Sequence, residues 1–257
     1  MSTTSSSSIL KITNIVALAI VVIVNSIAGA VGLNGHLTGQ ISDLYPNLFV
    51  PSGIIFSIWG VIYLLLGLFI VFQALPSTKN SLFQKKIGYL FILSCIFNVA
   101  WLICWHWGYL PLSDVVMFAL LATLIAIYLR LDIGHGLVSR RERLCVWLPF
   151  SVYLGWITVA PIANVTATLV SIGWNGLGLS DITWTVLVLA VALVITLAVI
   201  FTRKDIGYSA VIVWALLGIW LKQSAISQIV LATEICAIII VLALLVVYLV
   251  PRLRSSK

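Results

Sequence analysis

Charge is what this chain of 257 residues is short of: 8% of its residues are Asp, Glu, Lys or Arg, against about 25% in soluble domains. That scarcity excludes an ordinary solvated surface. With 62% hydrophobic residues and a mean hydropathy of +1.21, it points to an all-α integral membrane protein. Acids are the rarer sign, seven against fourteen Lys and Arg. The resulting +7 charge is not read as a nucleic-acid signal, because no bases interleave with aromatics on one face; loops facing anionic lipid account for it. The four cysteines, Cys95, Cys104, Cys145 and Cys236, show no metal-ligand spacing and read as inert buried thiols. No phosphate-cradling Gly–Lys loop is present, which argues against a nucleotide-driven pump. No Lys lies at mid-depth in a late helix, as retinal attachment requires. No Ser, His and acid fall at one depth, so a hydrolytic enzyme has no support. His36, His106 and His135 are scattered over loops and span ends and offer neither a haem nor a metal set.

What the chain has in excess is apolar length. Eight runs, near 9–33, 52–75, 86–107, 111–130, 144–170, 182–202, 206–221 and 227–250, each approach the 17–25 residues a bilayer helix needs. All of the fourteen Lys and Arg except Lys222 fall in alternate gaps or at the two ends. The positive-inside rule therefore puts both termini in the cytoplasm, with the cell membrane as the expected location. Residues 1–8 are Ser-rich, without a basic n-region or a cleavage site at a plausible distance, and read as a short disordered tail before a retained first helix. Ser113 and Asp114 are expected to cap the fourth span, and Ser180 and Asp181 the sixth. Pro111 suits the first turn of the fourth span. The one long connection, residues 34–50, lies on the base-free side, where loops of that length often act as lids or binding segments.

Polar and aromatic side chains inside the spans carry the functional signal, because each needs a partner or a ligand. Asn98 is followed at i+3 and i+7 by Trp101 and Trp105, an amide and an indole ladder on one helical face. Trp59 and Tyr63 stack at i and i+4 in the second span, beside Gly60 and Gly67, which allow close helix approach. In the fifth, Trp156 precedes Asn164, with Pro161 between them to kink the helix. Converging, these faces would enclose an aromatic cavity suited to a flat, mostly apolar molecule. Trp105, Trp107, Tyr109, Trp147 and Trp174, near span ends, read as interfacial belt residues. Glu234, inside the eighth span, is expected to face other helices, with Lys222 as its foremost candidate partner; a protonated state and a transport role are the alternatives.

Three segments resemble the translocator protein family, also called tryptophan-rich sensory proteins (TspO/MBR). PSGIIFSIWGVIYLLLG matches its second helix at Pro51, Trp59, Tyr63 and Gly67; FNVAWLICWHWGYLPLSD its third helix and following turn at Asn98, Trp101 and Asp114; PFSVYLGWITVAPIAN its fifth at Pro149, Trp156 and Asn164. The resemblance spans residues 9–170 and implies a five-helix bundle that binds porphyrins and other flat hydrophobes beneath the loop after the first helix, often as a homodimer. It implies that Trp59, Asn98 and Trp156 line the cavity and that Trp101 and Asn164 support it, with Tyr63 alongside. Residues 171–257 would add three helices and a basic tail. The Trp common before the family's second helix is missing, as is the aromatic-then-basic, sterol-type end of its fifth. The favoured function is a membrane receptor or sensor for a porphyrin-like ligand, aiding its movement or breakdown. No resident cofactor is expected, a tetrapyrrole entering only as ligand. The alternative is a small-solute or ion-coupled transporter using Glu234 and the kinked fifth span.

Overall fold

The computed structural model describes the backbone of residues 3–79 and 81–255, and side chains over 9–79 and 81–249. Met1, Ser2, Asn80, Ser256 and Lys257 lie outside the described residues, and with them the start of the expected tail and the last base. The described chain is helical and, apart from one isolated bridge between Leu33 and His36, carries no strand pairing. The elements are α1 (Thr3–Ala30), α2 (Thr38–Asp43), α3 (Ile58–Ala74), α4 (Leu82–Ile87), α5 (Leu90–His106), α6 (Leu110–Leu131), α7 (Arg140–Glu142), α8 (Leu148–Ser171), α9 (Asp181–Arg203), α10 (Ile206–Lys222) and α11 (Ser227–Ser255).

Six helical stretches among the described residues are long and apolar enough to cross a membrane: Ile9–Ala30, Gly53–Ala74, Leu110–Leu131, Arg140–Ser171, Asp181–Arg203 and Ser227–Leu249. Two more apolar helices, α5 and α10, have 17 residues each. At 1.5 Å per residue these measure about 25 Å, at the lower edge of spanning length. The chain is an all-α, multi-pass membrane protein. Several boundaries differ from the expected runs. Helix α1 begins at Thr3, so most of the expected tail is helical. The third run is broken at Gly88, whose φ of +51° ends α4 before α5 begins. The fourth is not capped by Ser113 or Asp114: α6 starts at Leu110, with Pro111 in its first turn, and both residues lie inside the helix. Ser180 does cap α9, its Oγ accepting the Thr183 N–H at 3.2 Å.

Helix α8 is the hub, packed against α6, α3 and α10. The α8–α10 contact rests on small residues, with Ser151 facing Gly207 and Gly155 facing Tyr208. A Cβ on Gly155 would come within 2.9 Å of the Tyr208 carbonyl oxygen, and one on Gly207 within 3.2 Å of Ser151 Cβ. That is close approach of the kind small residues permit in membrane helices. Helix α11 packs on α9 and α10, while α9 touches α8 only slightly. The last three helices thus reach the first five membrane helices (α1, α3, α5, α6 and α8) mainly through α10. Its glycine at 218 lies so close to the turn before α3 that a Cβ would be 2.2 Å from Ile55 Cγ1.

Candidate functional site

The indoles named from the sequence come together. Trp59, from α3, stacks on Trp101 of α5 with ring centroids 6.1 Å apart and on Tyr63 at 5.6 Å. It meets Trp156 of α8 edge-on at 6.2 Å. Trp101 continues the stack to Trp105 at 6.3 Å, and Phe56 closes on Trp156 at 5.9 Å. Trp59, Trp101, Trp156 and Asn164 line one small cavity, with Thr38 and Ser42 of the 34–50 segment above it. The i+3 and i+4 spacings of the sequence put these rings on inward faces, and packing of α3, α5 and α8 brings the faces together.

The polar side chains divide. Trp101 Nε1 donates to Asn164 Oδ1 at 2.9 Å, and Asn164 Nδ2 donates to Ser113 Oγ at 2.7 Å and to the Asp114 carboxylate. Asp114, inside α6 and not at its cap, therefore anchors the amide that orients Trp101. Asn98 is not on this cavity. It is fully buried and sealed into a chain of its own, accepting from Asn25 Nδ2 at 2.8 Å and donating to the Tyr153 hydroxyl at 3.1 Å. Tyr63 likewise lies off the cavity, its hydroxyl facing Asn98 without closing a hydrogen bond. Asn25, an amide inside an apolar run, carries the same signal in the sequence as Asn98 and was the partner to look for. On the cavity itself, Trp156 is 3% exposed, and its Nε1 has no hydrogen-bonding partner among the described residues. An orphan buried donor is uncommon and costs about 1–3 kcal/mol.

The 34–50 segment is held down on this box. Buried His106, at the end of α5, meets the Leu33 carbonyl through Nδ1 at 2.9 Å and Thr38 Oγ1 through Nε2 at 3.1 Å. Asn34 Nδ2 donates to the His106 carbonyl and Trp105 Nε1 to the Thr38 carbonyl. From the other side Lys222 of α10 pairs with Asp43 at 2.9 Å, and Gln223 Nε2 donates to the Asn47 carbonyl. The expected Lys222–Glu234 pair is therefore absent. Glu234 is exposed on α11, yet meets another helix: its carboxylate accepts from Trp220 Nε1 of α10 at 3.0 Å. It lines neither the aromatic cavity nor the larger groove described next.

Volume separates two candidate spaces. The aromatic cavity has about 40 Å³, far below the ~300–1,000 Å³ of small-molecule sites, so a planar macrocycle enters only if the rings and the covering segment part. A groove of about 490 Å³ lies on the opposite side of α8, between α8 and α9 and beneath residues 46–49. It falls in the range of small-molecule sites. Pro161 and Trp174 line it, Trp174 with its ring 5.1 Å from Trp184. Of the other expected belt residues, Trp107 and Tyr109 are exposed, but Trp105 and Trp147 are buried. Cys95, Cys104 and Cys236 are buried and Cys145 half-buried, all four as free thiols.

A sequence model of the family described as TSPO-like protein matches residues 11–247, running past the segments of resemblance through most of the last helix. No curated protein and no solved structure matches the chain.

Proposed function

The chain belongs to the TSPO-like protein family, and from that premise we propose that it is a membrane sensor admitting a flat, porphyrin-like hydrophobe among Trp59, Trp101 and Trp156. The carrying observation is the orphan Trp156 N–H at the edge of a stacked indole box. A ligand with polar edges supplies the missing acceptor, and its face replaces indole–indole stacking by indole–ligand stacking. Each such contact is worth about 0.5–1.5 kcal/mol beyond area burial. The Trp101–Asn164–Asp114 chain keeps one wall fixed while the latched 34–50 segment must release for entry. In this reading residues 9–170 form the binding bundle and residues 171–257 brace it, chiefly through α10.

The test is porphyrin binding to the purified protein, followed by quenching of intrinsic fluorescence. Trp59→Ala is expected to weaken binding about tenfold or more, roughly 1.4 kcal/mol. Trp156→Phe keeps a ring and removes only the N–H, and is expected to lose a smaller part of that. Trp184→Ala, in the outer groove, is expected to have no effect. Loss of binding in Trp184→Ala with none in Trp59→Ala would move the ligand to the groove between α8 and α9 and defeat the proposal.

The orientation proposed is that of both termini in the cytoplasm, supported by the one-sided placement of bases. A cysteine at exposed Leu137 should be labelled by an impermeant maleimide only after permeabilisation, and one at Gln40 from outside intact cells. The opposite pattern would invert the topology.

A further inference from the structure

A third recess, of about 420 Å³, opens at the basic end of the bundle between the start of α8 and the α9–α10 junction. It is unrelated to the aromatic box and does not rest on the sensor reading. Just before α8, residues Arg143–Trp147 form a π-helical turn, an irregularity frequent at functional sites. It sets Arg143 over the Trp147 ring, 5.7 Å from the centroid, and both residues line the recess. Lys204 lines the opposite wall in a left-handed conformation, φ +54°, where α9 gives way to α10. Among the described residues neither Arg143 nor Lys204 is in an ion pair, whereas Arg203 is already taken by Asp132 at 2.9 Å.

Two further features point at an anion. Trp147, which lines the recess, is 6% exposed, and its buried Nε1 has no hydrogen-bonding partner among the described residues. Ile206 and Gly207 begin the 17-residue helix α10 beside it. Their backbone N–H groups, as the first of a helix, have no intrahelical acceptor and sit at its positive end. The one acid in the wall, Asp205, is turned inward. Its Oδ2 accepts from Tyr128 and Ser151 and its Oδ1 from the Tyr208 N–H. Ile133, Leu144 and Leu148 give the recess an apolar wall, and Tyr248 closes it with its hydroxyl donating to the Lys204 carbonyl.

We infer that this recess holds the phosphodiester headgroup of an anionic membrane lipid, gripped by Arg143 and Lys204 and by the N–H groups of Trp147 and the α10 start. The amphipathic lining decides for a lipid over free phosphate: the apolar wall takes the glycerol and upper acyl chain, at the end of the bundle where the bases gather. Such a lipid spans the junction of the first five helices with the last three and ties them together.

Native mass spectrometry of the full-length protein, loaded with phosphatidylglycerol against phosphatidylcholine, tests this. Wild type should retain phosphatidylglycerol preferentially. The Arg143→Gln, Lys204→Gln double variant should bind it about tenfold or more weakly. Trp147→Phe, which keeps the ring, should weaken it less. Lys85→Gln with Lys86→Gln, altering bases elsewhere, should leave the preference intact. Equal retention by wild type and the Arg143, Lys204 double variant, or equal loss in the Lys85, Lys86 control, overturns the site. Displacement of the lipid by glycerol 1-phosphate at comparable concentration overturns the lipid assignment in favour of a soluble phosphate ester.

Discussion

Asp205→Ala is expected to lower the stability of the purified protein by about 3 kcal/mol or more, seen as a large fall in thermal unfolding temperature in detergent. The carboxylate is buried and accepts three hydrogen bonds, from Ser151 Oγ at 2.6 Å, Tyr128 Oη at 2.9 Å and the Tyr208 N–H at 3.0 Å. Each bond to a charged group contributes about 1.5–3 kcal/mol, and removing the acceptor strands its donors. The same residue is the N-cap of α10, and losing a cap costs about 0.5–2 kcal/mol on its own. Tyr128 is on α6 and Ser151 on α8, so one side chain joins three helices across the junction. Asp205→Asn retains an acceptor for the cap and is expected to lose clearly less. An unfolding temperature unchanged in Asp205→Ala would mean that this hub is not what holds α10 in place.

Gly134→Ala is expected to be comparably damaging, for a reason of space and backbone. Gly134 has φ +93°, a conformation costly for any residue with a side chain, and a Cβ there would fall 2.1 Å from the Arg203 carbonyl oxygen. The obstacle is backbone, so no rotamer change relieves it. The loop after α6 must lift from the end of α9, breaking the Asp132–Arg203 pair and the His135 contact with the Thr202 carbonyl. Strain in such backbone regions costs about 1–3 kcal/mol before the clash is counted. The expected result is poor folding yield and a lowered unfolding temperature. Gly173→Ala serves as the comparison: its φ is +67° but nothing lies within 4 Å of a Cβ there. Equal damage from both would assign the effect to backbone conformation alone and not to the docking of this loop.

Both sites lie at the junction between the first five helices and the last three, and neither drew notice in the sequence. Asp205 there is one acid in a basic gap, and Gly134 one of seventeen glycines. Their importance comes from Tyr128, Ser151 and Arg203, each more than fifty residues away or on another helix. By contrast Trp59, Trp101, Trp156 and Asn164 were readable together. Regular helical spacing announces a face, and a lone amide or indole at membrane depth must find company. The same rule pointed to Asn98 as a cavity residue, and there it misled. The requirement for a partner is local, but the identity of the partner is not, and Asn25 and Tyr153 met it before any ligand could.

The sequence by itself determined that this is a helical, multi-pass membrane protein with aromatic faces on its second, third and fifth apolar runs. Run length and helical period are properties of neighbouring residues, and a bilayer penalises every backbone group left outside a helix. Only the tertiary structure decided that Lys222 serves Asp43 and not Glu234, that Trp147 is buried beside a basic recess, and that the indole box is narrowed to about 40 Å³. A base, an indole or an acid has several chemically equivalent partners along the chain. Which one it meets is set by the crossing of helices, and that follows from close contacts such as Gly155 on Tyr208 and Gly218 on Ile55, which no local pattern of residues encodes.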